Sequence, residues 1–291
     1  KTPGLDCIFI GTSDLSQDMV DELGIRVIPM AFSFGSESYL NYPDFRELDI
    51  HKFYERIKNG ERSTTALVNA NTFKEYFEPI LQSGNDILYI GFSSGLSGTF
   101  ASSLIAAEES RQKYPDAKIV CIDTLAASMG EGLLVYYAAK LKQEGKSIDE
   151  VSQWVLDKRL NLCQWFTVDD LNHLKRGGRV STMAATLGSA LNVKPILHTD
   201  NEGHLIPVHK VRGRRKSIIA LFEHMQELCD KPEGQTIFIS HADCLEETQY
   251  LADLIKEKLP VKEVILNFMG PVIGSHTGQG AISLFFLGKE R

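Results

Sequence analysis

Residues Ile87–Phe100 read ILYIGFSSGLSGTF. An unbroken apolar run, Ile87–Phe92, passes into a turn of glycines and hydroxyls and then into a segment of helical period, Gly98–Lys113. The same order follows at once: the strand-length run Ile119–Ile122, the small-residue stretch Asp123–Gly132 (DTLAASMGEG), and the helical segment Gly130–Gln143. A further helix, Ile148–Arg159, has its start fixed by Ser147 and Glu150, an S-x-x-E capping box. Strand–helix alternation across residues 80–160 predicts βαβ units around a parallel sheet, an α/β fold.

Outward from this block, strand-length apolar runs lie at Leu5–Ile10 and Ile25–Phe34, with helical periods at Ile50–Asn59 and Asn71–Gln82. Beyond it come the runs Cys163–Val168, Pro195–Thr199, Leu205–Val208, Thr236–Ser240, Glu263–Asn267 and Ile282–Leu287, and the helices Lys216–Cys229 and Glu246–Lys258. Asp200-Asn201-Glu202-Gly203 between two of these runs reads as a β-hairpin turn, so the second half carries a mixed sheet. The change of pattern predicts two domains, residues 1–160 (parallel-sheet α/β) and 161–291 (mixed-sheet α+β), packed closely with a crevice between them.

Composition narrows the function. The chain has 291 residues, 43% hydrophobic and 24% charged, with a net charge of −7, ordinary for a globular protein and unsuited to general nucleic-acid binding. Its five cysteines are widely spaced without a CxxC pair, which predicts reduced thiols. No apolar stretch reaches membrane-spanning length and no signal peptide opens the chain, so a cytoplasmic protein is expected.

Three segments can carry chemistry at strand ends, where α/β sheets bind ligands. Gly91–Phe100 gathers Ser93, Ser94, Ser97 and Thr99 with backbone N–H groups at a helix start, which suits an anionic head group; its bland alternative is a serine merely capping the helix. With no GxxxxGK[ST], GxGxxG or GxSxG in the chain, the anion is a carboxylate or simple phosphate, and a hydrolase elbow is missing. Arg62–Asn69 (RSTTALVN) brings Ser63, Thr64 and Thr65 before a helix. Hydroxyls from two such loops could offset the desolvation of a carboxylate whose other end is apolar. Asp123, at a strand end, is placed to hold a neighbouring loop through backbone N–H groups.

Gly270–Gly280 (GPVIGSHTGQG) sets His276 among glycines that permit close backbone approach, either to a ligand or to another domain. The other histidines show no metal-ligand spacing, so no metal is expected. Leu174–Ser181 (LKRGGRVS) and Lys210–Lys216 (KVRGRRK) are basic clusters on an acidic protein: solvated loops, or contacts to phosphate or to an acidic partner surface.

Taken in order, these segments resemble the DegV family of bacterial fatty-acid-binding proteins. The likeness rests on Ser93–Phe100, Asp123–Gly132, Leu174–Ser181, Leu187–Leu197 (LGSALNVKPIL), Glu202–Lys216 and Gly270–Gly280, and runs almost end to end. It implies a two-domain α/β protein that buries one long-chain fatty acid between its domains. Without a cofactor or chemistry of its own, it would present the carboxylate to a separate ATP-dependent fatty acid kinase. By the same resemblance Thr65, Ser97 (with Ser94 next) and His276 hold the carboxylate, and Arg176 and Arg179 dock the kinase. Transient contact with a membrane or an acyltransferase also belongs to this role. The chain departs from the family pattern at Thr12, where an acidic residue is usual, at Ala66–Asn69, and at Gln279, where a proline is common.

The energetics suit a carrier. At roughly 0.8 kcal/mol per buried methylene, a fifteen-methylene chain supplies ~12 kcal/mol before ordering costs. Two other readings stay open: an autonomous lipid hydrolase using Ser94 or Ser97 with His276, and a lipid-responsive regulatory protein. Side chains such as Phe32, Phe34, Leu191, Phe268 and Phe285 are expected to set the cavity shape.

Overall fold

In a computed structural model, which describes residues 5–181 and 192–291, the strands form three sheets. The first is parallel, in the order β2-β1-β6-β7: β1 is Leu5–Ile10, β2 Arg26–Val27, β6 Asp86–Gly91 and β7 Ile119–Asp123. All six residues of β6 are buried, the mark of a central strand covered on both faces. Helix α5 (Met129–Gln143) packs Leu133 and Leu134 against Leu88, Ile90 and Ile122; α3 (Ala70–Gln82) and α4 (Thr99–Lys113) pack on each other. Helix α6 (Ile148–Lys158) starts with the expected capping box, Ser147 and Glu150 bonding reciprocally.

The second sheet has six strands in the order β10-β9-β8-β13-β11-β12. They are β8 (Leu162–Thr167), β9 (Val193–Thr199), β10 (Leu205–Arg212), β11 (Thr236–His241), β12 (Glu263–Phe268) and β13 (Ile282–Leu287). The β11–β12 pair is parallel and the rest antiparallel, so the sheet is mixed as the hairpin implied. Helices α8 (Arg214–Leu228) and α9 (Leu245–Lys258) bury Leu221, Met225, Leu251 and Ile255 on it.

The third sheet departs from expectation. Ile25–Phe34 is not one strand: Arg26–Val27 joins the parallel sheet, and β3 (Met30–Phe34) turns away to pair with β4 (Glu37–Asn41) and β5 (Ser63–Ala66). Pro29 stands at the break, where it has no N–H to give to a ladder. Helix α2 (Ile50–Lys58) presses Phe53 and Tyr54 against this sheet, with Phe53 edge-on to Phe32. Three short helices also went unread. In α1 (Gln17–Leu23), Ser16 caps the start and Gly24 the end; the others are α7 (Asn172–Arg176) and α10 (Pro271–Thr277). The last lies inside the glycine-rich segment and is announced only by Pro271 in its first turn.

The turn of the β9–β10 hairpin ties the second sheet to the strand ends of the first. Ser93 Oγ donates to Gly203 O at 2.9 Å, and a Cβ on Gly95 would lie 2.8 Å from Glu202 O. Arg291 donates to the carbonyls of Leu125 and Asp200 from beneath. Gly203 has φ +81°, and a Cβ there would collide with Ser93 Oγ. Gly203→Ala therefore meets both backbone strain and overlap, and should destabilise the protein by about 1–3 kcal/mol in urea unfolding. An unchanged midpoint would show that this turn does not hold the two sheets together.

Candidate ligand-binding site

A cavity of about 230 Å³ opens between the sheets, walled by apolar side chains that include Met30, Phe92, Leu96, Phe166, Leu205 and Phe285. Thr65, Ser97, Arg179 and His276 also line it. Of the four described side chains expected to shape it, only Phe285 does so. Phe32 and Phe34 lie in the core with Phe53, Phe268 packs on His51 and His241, and Leu191 falls outside the described residues.

The polar group is assembled by β5 and α10. Alternation along β5 turns Ser63 and Thr65 to one side, and both meet α10: Ser63 Oγ lies 2.7 Å from Ser275 Oγ, and Thr65 Oγ1 2.9 Å from His276 Nε2. Helix α10 is fixed at its start by Asp14 and Asn41, whose side-chain oxygens accept Gly270 N–H at 2.9 Å and Val272 N–H at 3.2 Å. It sits so close to α2 that a Cβ on Gly274 would lie 2.6 Å from Tyr54 Oη.

Burial, aided by Arg179, lowers the His276 pKa to about 4, so the ring is neutral near pH 7. Among the described residues Nδ1 has no partner, and the backbone of Gly177 lies directly over it, leaving no room for a Cβ. The proton therefore belongs on Nε2, where Thr65 Oγ1 accepts it, and the Thr65 hydroxyl hydrogen is left for the cavity. Ser97 stands in a similar position. Its Oγ accepts Thr99 N–H at 3.2 Å and lies 2.9 Å from Thr99 Oγ1, which itself accepts Val68 N–H. Either hydroxyl of that pair can donate, so when Thr99 does, Ser97 has its own hydrogen for a ligand.

The remaining candidates separate. Ser94 is exposed and does not line the cavity; its N–H goes to Asp123 Oδ1 at 3.3 Å, and the same oxygen accepts Leu125 N–H at 2.9 Å. Asp123 thus holds its loop as expected. The N-cap of α4 is Gly98, which has no side chain to offer, and Ser97 Oγ takes the first N–H of the helix, so the capping role and the cavity-lining role fall on the same serine. Arg179 turns inward, donating to the carbonyls of Leu96 and Gly177, whereas Arg176 is exposed beside His173. Gln279, in the position where proline is common, donates to Asp243 O. Sequence reasoning missed Gly177, whose only signal is the Gly-Gly pair, and the cavity-lining residues Gln164, Thr199 and Ser283, which sit inside ordinary strand patterns. Among the described residues no cluster of three or more His, Cys, Asp or Glu could hold a metal, and no helix is long and apolar enough to cross a membrane.

This end can orient a carboxylate: two hydroxyls that can donate, a guanidinium nearby, and largely apolar walls for the rest of the molecule. Comparison with known proteins bears on which molecules carry such a group. A profile of the DegV family, described as uncharacterised proteins, matches residues 10–289. The chain belongs to the DegV family. A DegV domain-containing protein of Clostridium perfringens is 47% identical over 279 residues, 96% of either chain. The crystal structure of Bacillus subtilis DegV, a fatty acid binding protein, superposes with a TM-score of 0.84 at 30% identity, covering 98% of this chain and 100% of that one. The B3 protein of the Streptococcus pneumoniae fatty acid kinase, loaded with linoleic acid, gives a TM-score of 0.84 at 20% identity over 97% and 99% of the chains, a likeness of fold.

His276 takes up its proton at about pH 4 when folded, against 6.5 for a free imidazole. Between those values the unfolded chain binds a proton that the folded site refuses, so stability falls as pH drops from about 6.5 towards about 4. Replacing His276 by Gln, which can still reach Thr65, should remove that part of the acid sensitivity, measured as urea-unfolding free energy across the window. Parallel pH curves for the two proteins would mean that His276 titrates normally.

Proposed function

We propose that this DegV-family protein is a carrier that buries one long-chain fatty acid and presents its carboxylate to a separate ATP-dependent fatty acid kinase. The observation that carries this reading is that the hydroxyls of Thr65 and Ser97 line, with His276 and Arg179, one end of a cavity whose walls are largely apolar. His276 is the positioning group of this pair, and Arg179 supplies the positive charge that the carboxylate and later the acyl-phosphate would meet. Arg176, exposed on the same basic turn, is our candidate for docking the kinase. The fatty-acid-binding relative from Bacillus subtilis supports the ligand class. We take residues 1–160 and 161–291 as the two domains that enclose it.

A serine hydrolase is less well supported. His276 Nε2 is engaged by Thr65, and its depressed pKa makes it a weak base.

Native mass spectrometry of the purified protein tests the ligand directly: a mass excess of a few hundred daltons that leaves on denaturation and extracts as fatty acid is expected. Thr65→Ala and Ser97→Ala should each weaken fatty-acid binding by about 1–2 kcal/mol. Adding a fatty acid kinase and ATP should then yield acyl-phosphate. Unchanged affinity in both variants would remove these hydroxyls from the site.

A further inference from the structure

We propose that the sheet wall of the cavity is a second polar subsite, which selects an acyl chain bearing its own hydroxyl over a plain hydrocarbon chain. The proposal rests on the fatty-acid reading and deepens it. The head-group donors sit on β5, α10 and the Ser97 turn, whereas this wall is made by β8, β9 and β13. Gln164 and Phe166 of β8, Ser283 and Phe285 of β13, and Thr199 of β9 all line the cavity.

Strand register brings the polar members together. Phe285 pairs with Gln164 and Ser283 with Phe166. Trp165 pairs with His198, and one further step along the antiparallel pair sets Thr199 across from Gln164. Directly paired side chains have Cβ atoms about 4.5–5.5 Å apart and diagonal ones about 7–8 Å, so Gln164 stands beside Thr199 on one flank and diagonal to Ser283 on the other, a polar row across three strands among the phenyl rings.

The donors of this patch are unengaged. Thr199 is 2% exposed and Ser283 6%, and among the described residues neither hydroxyl has a hydrogen-bond partner. Gln164 accepts Ala127 N–H and gives one amide hydrogen to Leu125 O, which leaves the second. The neighbouring lining hydroxyls are different: Ser128 bonds Asp14 and Ser240, and Thr277 bonds Ile273 O. A saturated chain laid on the patch would exclude water from these donors and return nothing. A chain hydroxyl both accepts and donates, so it can pair with Gln164 and with one of the two flanking hydroxyls, Thr199 or Ser283, while its neighbouring methylenes cover Phe166 and Phe285.

Competition binding to delipidated protein tests this, using stearate and a series of monohydroxystearates with the hydroxyl moved along the chain. At least one isomer should bind roughly three- to tenfold more tightly than stearate. A Thr199→Val/Ser283→Ala double variant, close in shape, should lose the preference and hold stearate at least as well as the wild type. Stearate binding reports that the variant is folded; if it is lost, the two single variants carry the same comparison. Wild-type protein that prefers stearate to every isomer, or a preference that survives both substitutions, overturns the subsite and leaves the carrier reading intact. Wild-type protein that binds neither ligand overturns both.

Discussion

The hydrogen bond between Thr65 and His276 spans 211 residues of sequence and fixes the polar end of the cavity. It joins a strand of the small third sheet to a short helix that leads into β13, an inner strand of the six-stranded sheet. Ser63 and Ser275 repeat the junction one step away, and Gly274 and Gly177 let the protein close around it on two sides. A neutral imidazole suits this position: it occupies the Thr65 oxygen and turns the threonine into a donor. A protonated ring would compete for the ligand's charge, and release would then depend on deprotonating a buried group.

The architecture was legible where local chemistry and tertiary demand agree. The continuous apolar runs of β6 and β7, the capping box at Ser147 and the hairpin turn at Asp200–Gly203 each specify one local conformation, and the structure uses all of them. The third sheet was not legible, because β4 and β5 are short and largely polar and gain their strand state from pairing with β3. Residue type also exceeded geometry at the serine-rich turn. Ser93, Ser94 and Ser97 look equivalent in sequence, yet Ser93 locks the hairpin, Ser94 faces out, and only Ser97 lines the cavity. Which of three serines meets a ligand depends on the direction of a turn, and that is set by Asp123 a strand away.

The basic Gly-Gly turn has two faces with different physical demands. Gly177 and Arg179 belong to the inside, one making room for the imidazole and the other donating to the carbonyls that border the cavity. Arg176 is exposed, three residues away. The outward face therefore belongs to the same short helix and turn whose inner face packs on His276.

Charge around the cavity follows the same economy. Asp14 lies against the start of α10, its two oxygens accepting Gly270 N–H and the Ser128 hydroxyl, with the backbone at φ 51°. Burial raises its pKa to about 7, against 3.8 in water, so much of the carboxyl population near neutrality carries no charge. Glu131, fully buried nearby, is raised for the same reason. An ionised pair here would set two negative charges close to a cavity whose ligand, in our reading, is itself an anion. Ser128 lines that cavity and bonds Asp14, and Asp14 fixes the helix that carries His276. Hydrogen bonds thus run from Ser128 on the cavity wall through Asp14 to Gly270 at the start of the helix that carries His276, and burial lowers the charge of the acid between them. Arg179 is then the cation that lines the polar end, and partly neutralised scaffold acids offset its charge less than an ionised pair would.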